Sequence, residues 1–310
     1  MFETPILFLI FNRPKATEKV FEAIRKVQPK QLFIAADGPR LDKSEDLKKC
    51  EQTRAIVKKI DWPCEVKTLF RPDNLGCGKA VSQAIDWFFE QVEEGIILED
   101  DCLPNRSFFD FSASMLGKYR NNDQIMHISG TNHLFNTQLT PLNNTYFFSA
   151  FSSIWGWATW RRAWFLYDFE MHGWENSEQY MQHRFLDKSF KQLLYLEFSR
   201  VASKKVDTWD WQWIYSIQKN NGLCITPMVN LVRNIGYEGT HYQARHPHHN
   251  MPTVALKMTT LVHPLEKNID FKMDEKNLAQ RRYHKLAIKD RIINKILHVW
   301  KQMQLFRNRR

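Results

Sequence analysis

The stretch Gly95-Ile96-Ile97-Leu98-Glu99-Asp100-Asp101 decides how the chain is interpreted, because an apolar strand ends directly in three carboxylates. Such a run is costly to pack unless a cation lies among the acids. Mn²⁺ or Mg²⁺ prefers oxygen ligands and often needs only one or two carboxylates, since water and phosphate oxygens fill the other positions. We predict that Asp101 is the direct ligand, that Asp100 contacts a ribose or a bound water, and that Glu99 orients the site. A solvated acidic turn is the alternative.

The residues before this stretch alternate between strand-like and helix-like segments. The predicted strands are Pro5–Phe11, Leu32–Ala36 and Glu65–Phe70, and the predicted helices are 15–27, 43–60 and Val81–Val92. This alternation implies an α/β fold with parallel strands and helices on both faces of the sheet. After residue 105 the pattern of strands and helices is mixed. Ligands of α/β sheets bind beyond the carboxyl ends of the strands.

Two more polar residues follow predicted strands and are expected on the same edge of the sheet. Arg13 follows the first strand and Asp37 follows the second. Asp37 could accept a hydrogen bond from a uracil imide or a ribose, and Arg13 could contact a base or a phosphate. The alternative is that Asp37 belongs to an ordinary Asp-Gly-Pro turn and that Arg13 is a surface residue.

A glycine-containing segment, Asn74–Lys79, precedes the third predicted helix. Its glycines, Gly76 among them, would let the backbone approach a ligand, and Lys79 would lie near a diphosphate. The spacing matches neither the P-loop nor the dinucleotide fingerprint, so the segment is a weak signal by itself.

Residues 207–213 place Asp210 among alternating tryptophans. An apolar environment raises the pKa of a carboxylate and makes it a better base near neutral pH. Asp210 is therefore the predicted catalytic base. The alternative is the start of a helix that Asp207 caps and whose tryptophans belong to the core.

His241 follows the glycine-containing segment 236–240. A histidine on such a loop could ligate the metal or touch a diphosphate, although a lone histidine more often does neither. His246, His248 and His249 do not form a zinc spacing with it.

The order of these segments resembles that of GT-A glycosyltransferases, in particular the inverting N-acetylglucosaminyltransferase I type and its bacterial relatives. The Ile-Ile-Leu-Glu-Asp-Asp stretch is similar to the metal-binding segment of that family, and Ile154-Trp155-Gly156-Trp157 resembles its Gly-Trp element near donor and acceptor. The resemblance spans most of the first 240 residues and is carried by Pro5–Arg13, Ile34–Gly38, Gly95–Phe111, Ser149–Trp164 and Thr208–His241.

The resemblance implies a GT-A, Rossmann-like α/β fold with a mixed, mostly parallel sheet flanked by helices. It implies that Arg13 and Asp37 bind the nucleotide, that Asp101 binds the metal and that Trp157 lies near the donor. The implied activity moves a hexosyl or N-acetylhexosaminyl group, with inversion, from a UDP-sugar to a glycan or lipid-linked glycan at the cell surface. We expect one GT-A domain at 1–265, with a nucleotide-binding half (1–105) and an acceptor half (106–265).

The chain departs from the family at the predicted base. Asp210 is followed by Trp211, where the relatives have a second acid before the tryptophan. Asp207 therefore competes with Asp210 for the role of base.

The net charge of +10 lies entirely in a C-terminal tail, because residues 276–310 hold 11 Lys and Arg and one acid, Asp290. The balanced remainder does not indicate a nucleic-acid-binding protein. Residues 286–306 have the pattern of a basic amphipathic helix. This helix could lie on an anionic inner-membrane surface, or pack on the body of the protein or on a partner subunit.

Localisation is predicted from cysteines and apolar runs. The five cysteines are scattered, as is typical of reduced thiols in the cytosol. We find no secretion signal and no apolar run that could span a bilayer. The expected location is cytoplasmic or peripheral at the cytoplasmic face of the inner membrane.

Two other functions remain open. A sugar-phosphate nucleotidyltransferase shares the layout but normally has a glycine-rich, Arg-containing loop after its first strand, where this chain has Asn12-Arg13-Pro14-Lys15. A non-catalytic, membrane-associated carbohydrate-binding protein would bind no nucleotide.

Overall fold

The computed structural model describes residues 1–134, 144–236 and 251–280. The strands in these ranges are β1 (Ile6–Ile10), β2 (Gln31–Ala36), β3 (Glu65–Phe70), β4 (Glu94–Glu99), β5 (Cys102–Pro104), β6 (Ile125–Ser129), β7 (Tyr146–Ser149), β8 (Trp157–Trp160), β9 (Leu223–Pro227) and β10 (Val232–Asn234). The α-helices are α1 (Pro14–Val27), α2 (Asp46–Arg54), α3 (Gly76–Phe89), α4 (Arg106–Tyr119), α5 (Arg161–Trp164), α6 (Ser177–Tyr180), α7 (Lys188–Ala202), α8 (Asp210–Lys219) and α9 (Phe271–Gln280). Short 3₁₀ helices lie at Ala55–Lys59, Trp174–Asn176 and Met258–Thr260.

Eight of these strands form one mixed sheet in the order β3-β2-β1-β4-β8-β6-β9-β7. The first four are parallel to one another. β8 is antiparallel to both of its neighbours, β6 and β9 are parallel, and β7 is antiparallel to β9. β5 and β10 form a separate antiparallel pair. The predicted α/β class, a mostly parallel mixed sheet flanked by helices, is confirmed.

The sheet separates two hydrophobic cores, because successive side chains of a strand point to opposite faces. Phe8 of β1 packs in the core that holds the apolar face of α1 and much of α4. Leu9, the next residue, packs in the core on the other face, together with apolar residues of α3 and α8. These two cores fix the helices against the sheet, and α3 and α8 therefore come to lie on the same face.

The structure differs from the sequence prediction at two elements. Helix α3 begins at Gly76 rather than at Val81, so that Gly76–Gly78 forms its first turn and not a loop. Strand β8 lies in the aromatic block 151–165, for which we predicted no strand, and it is buried along its whole length. A short strand buried on both faces has no alternating pattern to reveal it.

Two predictions about the C-terminal part concern residues that the structure does not describe. His241 and the amphipathic helix predicted at 286–306 lie outside the described residues. Helix α9 buries Met273 and Leu278, so the packed body continues beyond residue 265. Within the described ranges, every helix is too short or too polar to cross a membrane.

Candidate active site

The carboxyl ends of β1, β2 and β4 border one cleft, as expected for a parallel sheet. Its cavity has a volume of about 220 Å³ and lies between these strand ends and the first turns of α3. The predicted site residues that line it are Arg13, Asp37, Gly76, Glu99, Asp100 and Asp207. Residues far apart in the sequence therefore meet in one cleft.

Arg13 is the cation that lies between two of the three acids. Its Nη1 donates to Asp101 Oδ2 at 2.7 Å and to Asp100 Oδ1 at 3.0 Å. The backbone N–H of Phe11 donates to the second Asp100 oxygen at 3.2 Å. Burial opposes the charge of Arg13, but Asp100, Asp101 and Glu99 raise the pKa of its guanidinium above the ordinary value. Arg13 stays charged and holds the acidic segment against the end of β1.

One guanidinium does not balance three carboxylates. Glu99 Oε1 is buried and has no hydrogen-bond partner among the described residues. Burial and the neighbouring charges of Asp101 and Asp100 raise the pKa of Glu99 well above its ordinary value. A buried, unsatisfied carboxyl oxygen is costly, and the site therefore favours an additional cation or a hydrogen-bond donor from a ligand.

The donor set can be tested against the divalent ion that the resemblance implies. Within the described ranges, no three His, Cys, Asp or Glu side chains form a group that could hold a metal ion by themselves. A hard cation bound through substrate phosphates needs only one or two protein carboxylates. The hard oxygens of Asp101 and the unsatisfied oxygen of Glu99 fit such an ion in chemistry.

Asp101 is also fixed by the chain that leads out of β10. The backbone N–H of Ile235 donates to the Asp101 carbonyl oxygen at 2.8 Å. Gly236 lies so close that a Cβ atom there would be 2.3 Å from Asp101 Oδ2. The described chain therefore reaches Asp101 five residues before His241, which is itself outside the described residues.

Asp207 lies at the start of α3. Its carboxylate accepts hydrogen bonds from the backbone N–H groups of Cys77 at 2.8 Å and Gly78 at 2.9 Å. These two groups are among those that a diphosphate would meet at a helix start. Asp207 thus supplies the cap that α3 lacks in its own sequence, and its oxygens are engaged by the backbone.

Asp210, at the start of α8, has a different environment. Its carboxylate accepts a hydrogen bond from the Thr208 hydroxyl. Burial raises its pKa, and the Thr208 hydrogen bond opposes that rise. The pKa of the Cys77 thiol is raised mainly by burial and further by the charges of Glu99 and Asp210. The charge of Asp210 also helps to raise the pKa of Glu99, so Asp210 lies within electrostatic range of the acidic segment.

The Asp37 carboxylate accepts several hydrogen bonds from its own loop and from the segment that leads into α3. Its two oxygens accept hydrogen bonds from Asn74 Nδ2 and from the backbone N–H groups of Gly38, Leu75 and Gly76, at 2.9–3.2 Å. A carboxylate offers about four lone-pair positions. Asp37 therefore organises the segment that leads into α3, and little acceptor capacity is left for a ligand.

Four predicted residues do not line the cavity, namely Lys79, Asp101, Trp157 and Asp210. Trp157 has no exposed surface and stacks between His127 and Trp209, behind the cleft. Lys79 is exposed on α3 and does not line the cavity. In this conformation Trp157 supports the cleft from within the core.

Sequence reasoning missed several residues that line the cavity, among them Phe11, Arg40, Arg71 and Cys77. Arg71 follows β3 in the same way that Asp37 follows β2, so the rule for strand ends could have found it. Arg40 lies beyond a turn, and only the tertiary structure brings it to the cleft.

Comparison with known proteins gives little further guidance. No family model matches the chain. No curated protein matches it either. Among solved structures, mouse xyloside xylosyltransferase 1 in its apo form is similar at 10% identity, over 69% of this chain and 80% of that one, with a TM-score of 0.31. A likeness of this quality carries no conclusion about activity, and the function is inferred from the cleft itself.

Proposed function

We propose that this chain is a GT-A-type glycosyltransferase that moves a sugar from a nucleoside diphosphate, UDP in particular, to a glycan acceptor. The observation that carries the proposal is the cleft at the ends of β1, β2 and β4. Arg13 lies there between Asp100 and Asp101, beside the unsatisfied Glu99 oxygen. Ligands of parallel α/β sheets bind at this edge.

The metal part of the proposal assigns Asp101 as the protein ligand of Mn²⁺ or Mg²⁺. His241 remains a second candidate ligand. When bound, such an ion neutralises charge on a departing diphosphate as a Lewis acid. Arg13, which already contacts Asp100 and Asp101, would then be shared between the acids and the donor phosphates.

Asp210 is the proposed base, and its geometry favours it over Asp207. The Asp207 carboxylate is engaged by two backbone N–H groups of α3. Within the described structure, the Asp210 carboxylate accepts a hydrogen bond from the Thr208 side chain and otherwise only from backbone N–H groups at the start of its own helix. Burial raises the pKa of Asp210. A carboxylate with a raised pKa is better matched to removing a proton from an acceptor hydroxyl near neutral pH. Inversion at the sugar needs one such base.

A thermal-shift titration of the purified chain tests the proposal. UDP with Mn²⁺ is expected to raise the melting temperature, and EDTA is expected to remove most of that increase. Release of UDP from UDP-sugars, followed by mass spectrometry of the products, then identifies the donor. No stabilisation by any nucleoside diphosphate would contradict the proposal and favour a carbohydrate-binding protein without activity.

The variant Asp101→Ala separates donor binding from general folding. It should still unfold cooperatively, and UDP with Mn²⁺ should no longer raise its melting temperature. An unchanged response of this variant would refute the metal assignment while leaving nucleotide binding intact.

A further inference from the structure

Asp46 on α2 carries a carboxylate without exposed surface. Arg40 Nε donates to its Oδ2 at 2.6 Å, and Arg40 Nη2 donates to Oδ1 at 3.0 Å. Asn12 Nδ2, at the end of β1, donates to Oδ1 at 2.7 Å. The hydrogen bonds from Arg40 lower the pKa of Asp46 despite its burial. A buried, two-pronged pair of this kind fixes the orientation of the guanidinium.

Arg40 itself remains accessible from the cleft. Its side chain keeps 29% of its surface exposed and lines the cavity. The guanidinium carbon lies 5.5 Å from the centre of the Phe11 ring. Its Nη1 donates to no acceptor in the described part of the chain. Asp46 and Phe11 thus hold an arginine that lines the cavity and keeps Nη1 as a donor for a ligand.

Arg40 brings only hydrogen-bond donors to the cleft. Arg71 also lines the cavity, and the nearby Asp37 carboxylate is already occupied by its own loop. A guanidinium has no acceptor. A ligand group that contacts Arg40 must therefore present acceptor oxygens rather than amino groups.

Arg40 lies where the nucleobase of a nucleotide-sugar donor is expected. Strand β1 lies between β2 and β4 in the sheet. With strands about 4.8 Å apart, the ends of β2 and β4 are separated by roughly 10 Å. A nucleoside diphosphate with its phosphates at Asp101, after β4, would extend its base across β1 toward Arg40.

We propose that Arg40 determines base specificity by donating to the O4 carbonyl oxygen of uracil, and that Asp46 is its positioning residue. This inference rests on the proposed function of the cleft. Cytosine presents an amino group where uracil has its second carbonyl, and a guanidinium cannot accept a hydrogen bond from that amino group. Arg40 therefore selects UDP over CDP.

Calorimetric titration of the full chain with UDP and with CDP, each with Mn²⁺, tests the inference. The parent should bind UDP at least about tenfold more tightly than CDP, in the range of one well-made polar contact to a base. Arg40→Met should lose about tenfold in UDP affinity and bring the two affinities close together. Arg40→Lys keeps the charge but loses the planar fork, and should lose discrimination as well.

Turnover supplies a readout that a merely structural role would not change. Arg40→Met and Asp46→Asn should raise the KM for the UDP-sugar and leave kcat nearly unchanged, because contacts to a base are the same in the ground and transition states. Arg25→Met is the matched control, since Arg25 pairs with Asp61 on the surface, outside the cleft. It should bind UDP like the parent.

The outcomes separate this inference from the proposed function. A parent that binds no nucleoside diphosphate overturns the function itself. A parent that binds UDP and CDP equally, or an Arg40→Lys variant that folds and keeps the full preference for UDP, overturns the role of Arg40 and leaves the function standing.

Discussion

The Asp207 carboxylate accepts a hydrogen bond from the backbone N–H of Cys77 at 2.8 Å, although the two residues are 130 positions apart. Its other oxygen accepts from the next N–H group of α3. A carboxylate at a helix N-terminus satisfies free donors and complements the helix dipole. This cap joins α3 to the segment that precedes α8, and it assigns Asp207 a structural task.

Asp207→Ala should therefore reduce stability more than turnover. Loss of the cap is expected to cost about 1 kcal/mol, the typical effect of removing a capping side chain. Urea unfolding measures that change. Asp207→Asn keeps one acceptor oxygen, so its free energy of unfolding should lie between those of Asp207→Ala and the parent. If Asp207→Ala kept its stability but lost turnover by orders of magnitude, Asp207 would be the base instead.

Asp210→Asn should give the opposite result. Removing the proposed base is expected to lower kcat by about 10²–10⁴ while the chain stays folded. Asp86→Asn is a matched control, because burial also raises the pKa of Asp86, which accepts from Trp164 Nε1 at 2.7 Å away from the cavity. Steady-state kinetics compare the three proteins. Equal losses in both variants would mean that the effect comes from the fold.

The raised pKa of Asp210 also predicts the pH dependence of stability. The folded chain retains this proton at pH values where the unfolded chain, with a pKa of about 3.9, has lost it. Its contribution is complete below about pH 3.9 and disappears as the pH rises through the folded-state pKa. The stability of Asp210→Asn relative to the parent should therefore increase with pH from about 4 upward. Urea unfolding over a pH series measures this difference, and a constant difference would contradict it.

In the Arg13→Met variant, the thermal stability of the chain should depend on added metal. Arg13 neutralises Asp100 and Asp101, which keep only 6% and 13% of their side-chain surface exposed. Removing one partner from such a buried cluster costs roughly 3–5 kcal/mol. The variant should melt well below the parent in EDTA, and Mn²⁺ should raise its melting temperature more than that of the parent. Equal responses to Mn²⁺ would show that the ion does not bind at these acids.

Gly236→Ala tests the placement of Asp101 without changing an ionisable group. The added Cβ would lie 2.3 Å from Asp101 Oδ2, so that the carboxylate must move. We expect a higher concentration of Mn²⁺ for half-maximal activity, at similar stability. Gly117→Ala is the control, since a Cβ there would contact nothing within 4 Å. Identical metal dependence in both variants would place the ion elsewhere.

Several residues of the cleft could be predicted from the sequence because they directly follow strands that are recognisable as apolar runs. The acids after β4, Arg13 after β1 and Asp37 after β2 all obey one rule about parallel sheets. The rule places residues on an edge but does not tell which neighbours will occupy their oxygens. Hence it did not predict that the Asp37 loop uses the Asp37 carboxylate.

Long-range pairing explains the other differences. The early start of α3 depends on Asp207, which is far away in the sequence. The pair of Arg40 with Asp46 depends on a turn and on the packing of α2. Neither has a periodic pattern, and single-sequence reasoning detects mainly periodic patterns.

Strand β8 has a consequence for how the chain acquires its structure. It covers the edge of β4 through pairs such as Glu94–Trp160, which are more than 60 residues apart. Until residue 160 has left the ribosome, the backbone donors and acceptors on that side of β4 have no partner, and an uncovered apolar edge of this kind attracts other chains. The interval between synthesis of β4 and arrival of β8 is thus a period in which the nascent chain is exposed to aggregation.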